Sequence, residues 1–443
     1  MIFGFGKGGG GKKSKKAAKE RDEDEEEELV LFQGAANGKD PNLKEHGKLV
    51  QSGLVRAKQL VSNAFSRRAE MIRLEPKAGA TVATFYVDGV PFPAEKLSPQ
   101  SGQAVTQMLK LLSGLDIKNR TQAQAGGMNA QFSAINYLVR VDTTPLPGGA
   151  ERLILRAQDK SKKLSTPDDL GFSADLKKKI REWTSKKSGL VLGAGMPMSG
   201  VTTTTNAILR GIDGYLFTIY SIADMTGREV SHIKQFELNP EDNFVQTINR
   251  CKRAEGDVVY IEPIRDGEYA KQVLEEAEDI CMVTEFTARD AADAIAKLAE
   301  MVGDPRPVAE RLTAVVSQKL VRLLCQKCRQ AFRPHPKLLA KVGLPPETKV
   351  LYRALEASGN EDEEQEECEQ CGGMGYFGRT ALIEAIEMTE GVKEVVIGGG
   401  DAAAIKAAAR KEKMQSFNSD GLRLVAEGKT SIEELQRVFK PTK

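Results

Sequence analysis

Residues 189–209 read GLVLGAGMPMSGVTTTTNAIL, and the fold turns on them. An apolar run, Leu190 to Leu192, feeds a glycine-containing loop from Gly195 to Gly200. A threonine run then opens a helix-forming stretch. Strand, glycine loop and helix in that order form a phosphate cradle when the loop reads G-x-x-x-x-G-K-[ST], because its backbone N–H groups and its Lys meet the phosphates. Gly195 and Gly200 have that spacing, and Thr202 takes the Ser/Thr position. Val201 stands where Lys belongs. The frame is present and its ammonium group is missing.

The surroundings suit such a loop. From about Gly171 apolar strand candidates (Val191–Ala194, Leu216–Ser221, Val258–Ile261, Ile280–Thr284) alternate with helical patterns such as 268–278 and 291–301. That alternation predicts an α/β domain with a mainly parallel sheet over 171–397. Ligands of such sheets bind beyond the carboxyl ends of the strands, where this loop lies. Ahead of it, 45–160 reads as a smaller α+β domain. It has helical spacing over 49–65 and 103–112, and strands at 71–74, 82–87, 137–141 and 152–155. The turn Pro145–Gly149 predicts a hairpin-like return. Residues 161–170 are polar, contain Pro167 and read as a linker; 398–443 reads as a helical segment.

Residues 1–44 carry a Gly/Lys segment and then an acidic run, Asp22 to Glu28, and are expected to be a disordered charged tail. GKGGGGKKS within it lacks a preceding strand and a Ser or Thr after Lys12, so it is a decoy. Net charge is +2, which gives no electrostatic case for nucleic acid. There is no run of about 18 apolar residues and no apolar secretory leader, so a cytoplasmic protein is expected.

Cys325, Cys328, Cys368 and Cys371 form two C-x-x-C pairs. Four thiolates so spaced favour a structural tetrahedral Zn²⁺, closed to catalysis. The long gap between the pairs implies an insertion over about 325–371, including the acidic stretch Glu361 to Glu367. A reduced dithiol pair is the alternative. Cys251 and Cys281 read as ordinary buried residues.

Several stretches carry a joint resemblance: KLVRLLCQKCRQAF with CEQCGGMGYFGRTALIEAIEMTE, GDVVYIEPIRDGEYA, SDGLRLVAEGKTSIEEL, and, earlier, YVDGV, SGLDIKNR and LVRVDTTPLPGGAERLILR. Over roughly residues 45–440 the chain resembles the type II secretion and type IV pilus assembly ATPases, the general secretion pathway protein E family. The resemblance implies a P-loop NTPase core of RecA-like fold, preceded by the smaller domain and carrying the zinc knuckle. It implies ATP and Mg²⁺ as ligands, hexamers, and docking at the cytoplasmic face of an inner-membrane platform.

The departures from the family pattern fall on its chemistry. The loop Lys is Val201, a loop Gly is Met198, and Pro197 sits inside the loop. The acidic box falls on Tyr220-Ser221, leaving Asp224 as its acid. The Walker B Glu aligns with Pro263, with Glu262 one position early. The His box aligns with Thr284-Glu285-Phe286-Thr287, so Phe286 stands in a stretch without His. Gly195, Ser199, Gly200, Thr202 and Thr203 are left to touch phosphate, and Arg140 and Arg156 match arginines that face the nucleotide in the family. Weak ATP and Mg²⁺ binding without efficient hydrolysis follows. The chain is expected to act as a scaffold or regulatory subunit, in homo- or hetero-hexamers beside an active paralogue. An active motor, rewired through Lys186, Lys187 or Arg228, is the alternative. A zinc-dependent nucleic-acid binder is disfavoured by the charge balance.

Overall fold

The computed structural model describes residues 28–161, 166–223, 225, 230, 232–355 and 368–440. Contacts divide the chain into two units, Met1–Lys162 and Lys163–Lys443.

The first unit runs β1 (Leu31–Ala35), α1 (Gly47–Ser66), β2 (Met71–Lys77), β3 (Ala80–Val87), β4 (Val90–Leu97), α2 (Pro99–Leu112), β5 (Gln124–Phe132), β6 (Ile135–Pro145) and β7 (Glu151–Asp159). They form one antiparallel sheet in the order β1-β5-β6-β7-β2-β3-β4. One face is buried: along β3, Thr81, Ala83, Phe85 and Val87 point inward and their neighbours are half-exposed, the period-two pattern of a one-faced sheet. The helices come close at Gly53, where a Cβ would come within 2.7 Å of the Ala104 carbonyl oxygen. Beside that core Lys110 is wholly buried, with its Nζ 2.6 Å from Glu151 Oε1 and 2.9 Å from the Asn119 carbonyl.

The expected disordered tail needs correction. β1 lies inside 1–44 and pairs with β5. Val30 beside it is buried, and its N–H donates to Ser62 Oγ at 2.7 Å. The charged run ahead of this short apolar segment hides it in the composition. The Gly/Lys segment and the acidic run up to residue 27 lie outside the described residues.

The second unit opens with α3 (Ala174–Thr184), β8 (Gly189–Ala194), α4 (Val201–Arg210), β9 (Ile219–Ser221) and β10 (Ile233–Gln235). It continues through α5 (Phe244–Arg253), β11 (Val258–Tyr260), α6 (Gly267–Glu276), β12 (Cys281–Phe286), α7 (Ala291–Val302), α8 (Pro305–Arg311) and β13 (Leu312–Leu324). β14 (Gln330–Phe332), α9 (Pro336–Val342) and β15 (Leu351–Arg353) follow, then β16 (Tyr376–Glu387) and α10 (Glu390–Ile397). The last helices are α11 (Ala402–Lys411), α12 (Phe417–Ala426) and α13 (Ile432–Phe439).

The main sheet is ordered β10-β9-β11-β12-β8-β13-β16. Every neighbouring pair is parallel except β13 with β16. All six residues of β8 are buried, as expected for a central strand covered on both faces. One core lies on each side: Leu190 and Leu192 join one, Val191 the other. A third core unites Val321 and Leu382 of the sheet, Leu339 and Leu351 near the cysteines, and Phe417, Leu424 and Leu435 of the final helices.

The buried Lys110–Glu151 pair generates a stability prediction. Removing one partner strands a charge and should cost about 3–5 kcal/mol, whereas apolar replacement of both should be near neutral. Glu151→Ala should therefore lower the first unit's unfolding transition strongly in a denaturant melt, and Lys110→Met with Glu151→Leu should restore most of it.

Candidate functional site

β8 delivers the chain to the loop at its carboxyl end, and α4 leaves from the other side. The loop is pinned by backbone. Gly195 N–H donates to the Phe286 carbonyl at 3.1 Å, and Ser199 N–H donates to the Met196 carbonyl at 3.0 Å. Gln318 Nε2 of β13 donates to the Ser199 carbonyl at 2.7 Å. Gly195 leaves little room for a side chain: a Cβ there would lie 2.3 Å from Ser199 Oγ and 3.2 Å from Val201 Cβ. Gly200 caps α4 in the left-handed region at φ +84°. Met198 also holds a left-handed φ of +69°, at a position where the family pattern has Gly. A side chain with a Cβ is strained there. Pro197 offers no N–H.

Thr202 and Thr203 sit in the first turn of α4, where the opening N–H groups have no intrahelical acceptor and the helix dipole favours an anion. The side chain that follows Gly200 is half-buried, aliphatic Val201. Lys186 and Lys187 do not replace the missing amine. They precede β8, and its six residues span about 20 Å between them and the loop. Arg228, the remaining candidate, lies outside the described residues, as does Asp224.

The structure brings one carboxylate to the loop that the sequence reading passed over. Glu285 on β12 is buried at 8% exposure. Its Oε2 accepts from Thr202 Oγ1 at 3.0 Å and its Oε1 from Tyr260 OH at 3.0 Å. Glu262 instead lies past the end of β11, with an exposed side chain, and its carbonyl accepts from Thr284 Oγ1 at 2.8 Å. β11 ends at Tyr260, so Glu262 is not placed by strand alternation. Pro263 is half-buried, and Phe286 packs into the core.

Arg140 and Arg156 are cross-strand partners on β6 and β7 of the first unit. Arg156 ion-pairs with Asp142. Arg250 is engaged within the second unit, 2.8 Å from Asp242 Oδ2.

The four cysteines converge. Their sulfurs all lie within 4.8 Å of one another. Cys325 Sγ is 3.8 Å from Cys368 Sγ, and Cys328 Sγ is 3.6 Å from Cys371 Sγ. Four thiolates at 2.3 Å from a tetrahedral Zn²⁺ stand about 3.8 Å apart, so the donor set fits that ion. Backbone N–H groups of Cys371 and Gln370 hold the Cys368 thiol down at about 7. The turn after the second pair uses left-handed Gly372, Gly373 and Gly375. By contrast, burial pushes the Cys251 and Cys281 thiols up to about 11 and about 12, as suits inert core residues. Glu361 to Glu367 lie outside the described residues.

Comparison with known proteins gives a family. The family model described as Type II/IV secretion system protein matches residues 47–437. A type IV pilus assembly ATPase PilB of Thermus thermophilus is 29% identical over 85% of this chain and 42% of its own length. PilB of Myxococcus xanthus is 28% identical over 85% of the chain and 66% of its own length. Type II secretion system protein E of Pseudomonas aeruginosa is 28% identical over 86% of the chain and 74% of its own length. The chain thus spans between less than half and two-thirds of the first two relatives. The crystal structure of the ATPase DotB from Legionella pneumophila superposes with a TM-score of 0.53 at 16% identity, covering 87% of this chain and 95% of that one, and shares the fold.

Two outcomes test these geometries. Met198→Gly should relieve the left-handed strain and raise the thermal midpoint, by about 1 kcal/mol of stability, as read by differential scanning calorimetry. Purified protein should carry one zinc per chain by elemental analysis, and Cys368→Ser should lose it and become sensitive to proteolysis around the knuckle.

Proposed function

Because the chain belongs to the type II/IV secretion system protein family, we propose that it is a nucleotide-loop protein of a secretion or pilus machine with impaired ATP hydrolysis. It serves that machine as a scaffold or regulatory subunit. The observation that carries this reading is the loop itself: it is pinned by backbone bonds and Gln318, and Val201 follows Gly200 where the family pattern has the amine.

Phosphoryl transfer is catalysed by positioning and by neutralising developing charge. Val201 brings no charge to the terminal phosphates. A hydrogen bond to a charged group is worth about 1.5–3 kcal/mol, so its absence weakens nucleotide binding by at least about tenfold. The N-terminus of α4, with Thr202 and Thr203, retains weak anion affinity. Glu262 is exposed and lies beyond its strand, and Phe286 offers no proton-transfer group, so no base is positioned by either. In this reading the RecA-like core is kept for assembly: homo- or hetero-hexamers, docked peripherally at the cytoplasmic face of an inner-membrane platform, beside an active paralogue. Arg140 and Arg156 match the family's nucleotide-facing arginines. The four cysteines hold a structural Zn²⁺ that ties the knuckle to the final helices. Nucleic acid has no part in it.

ATP turnover of the purified full chain, alone and with phospholipid vesicles, should stay near background. A rate typical of secretion motors overturns the proposal and favours an active motor with an unusual loop. Val201→Lys should tighten ATP binding about tenfold by isothermal titration calorimetry; no gain would mean another cation already reaches the phosphates.

A further inference from the structure

Glu285 is a carboxylate in an unusual position. It is buried, it lies against the first turn of α4, and it forms no ion pair with a Lys, Arg or His among the described residues. Its hydrogen bonds come from two hydroxyls, those of Thr202 and Tyr260. Burying a carboxylate is costly unless a cation or several donors compensate it.

Thr202 makes the geometry specific. A threonine hydroxyl has one proton and two lone pairs. Thr202 spends its proton on Glu285, so its lone pairs are left for a cation. At the same loop, Gln318 is 2% exposed, donates through Nε2 to the Ser199 carbonyl, and has an Oε1 with no hydrogen-bond partner among the described residues. A buried acceptor at the loop that lacks a donor suits a cation-bound water. Mg²⁺ is held in phosphate-loop proteins by the loop hydroxyl with an acid at its side, and it keeps several waters.

We propose that Glu285 and Thr202 form the divalent-cation site of this loop, with the acid supplied by β12, the strand next to β8, in place of the end of β11. Glu262, the acid nearest the family's position in sequence, is exposed and contacts Thr284 through its backbone carbonyl. Glu285 orients Thr202 and balances the ion; Tyr260 fixes the second carboxylate oxygen. The site lets Mg²⁺ accompany a weakly held nucleotide without supplying a base for hydrolysis. This inference rests on the reading of the loop as a weak nucleotide site.

The test is calorimetric titration of ADP into the full chain, in Mg²⁺ and in EDTA. Wild-type protein should bind ADP more tightly with Mg²⁺. Glu285→Gln should lose that gain, a drop of about tenfold in the Mg²⁺-supported affinity, with its affinity in EDTA unchanged and its thermal melt close to wild type. Glu262→Gln should keep the gain. If Glu285→Gln unfolds, Thr202→Val reads the same site from the other ligand and should also lose the gain. The proposal is overturned if wild type shows no Mg²⁺ effect, if Glu285→Gln or Thr202→Val retains it, or if Glu262→Gln removes it. Rapid ATP turnover would sink the proposed loss of catalysis and leave the cation site standing.

Discussion

The second unit depends on the parallel pairing of β8 with β12 on one side and β13 on the other. Each residue of β8 is buried, and its ladders with β12 and β13 hold it in one register against both neighbours. That register sets Ala194 opposite Phe286 and Ser317. The loop therefore starts between fixed neighbours, one offering the carbonyl that takes Gly195 N–H and the other leading to Gln318. Glu285 lies opposite Gly193 in the same ladder. The loop, the carboxylate and the amide come from three separate parts of the chain, and hydrogen-bonded strands assemble them.

If residues 195–200 are a phosphate loop, as proposed, the chain separates two properties that such a loop combines. Its path is a backbone property, set by glycines, strand ends and carbonyl partners. Its electrostatics come from side chains. Met198 shows the strength of the first: the neighbouring bonds hold a residue with a Cβ at φ +69°, against a cost of about 1–2 kcal/mol. Val201 shows the absence of the second. The loop's shape does not depend on the ammonium group, since none of the bonds that pin it involves position 201 through its side chain.

Much of this was legible in the sequence because it was written in local pattern. The β8–loop–α4 unit, the strands at 258 and 281, and the two cysteine pairs each announce themselves within a few residues. β4 did not, because VPFPAEKL carries two prolines; proline belongs at sheet edges, and β4 is one of the two edge strands of its sheet. β5 did not, because Gly126 and Gly127 interrupt it. Gly126 serves close approach, since a Cβ there would meet the Ser113 carbonyl oxygen at 2.7 Å. Glu285 was read only as part of a degenerate box. Within CMVTEF it is one of two polar residues, beside Thr284, in a strand buried throughout, and its partner Thr202 is 83 residues away. Its meaning arises from pairing between strands, which one-dimensional spacing does not encode.

The third core has a consequence for how the protein is made. Val321 and Leu382 of the sheet are covered by Phe417, Leu424 and Leu435. Arg322 is clamped by Glu434, and Leu324 N–H is received by the Lys429 carbonyl at 2.9 Å. During synthesis these sheet residues emerge long before their cover. The antiparallel first unit has all its strands within 31–159 and can close while translation continues. The second unit must wait, its sheet partly bare, until Ile432–Phe439 has left the ribosome. Its growing chain therefore passes through a stage in which an apolar sheet face is open to chaperones or to other nascent chains.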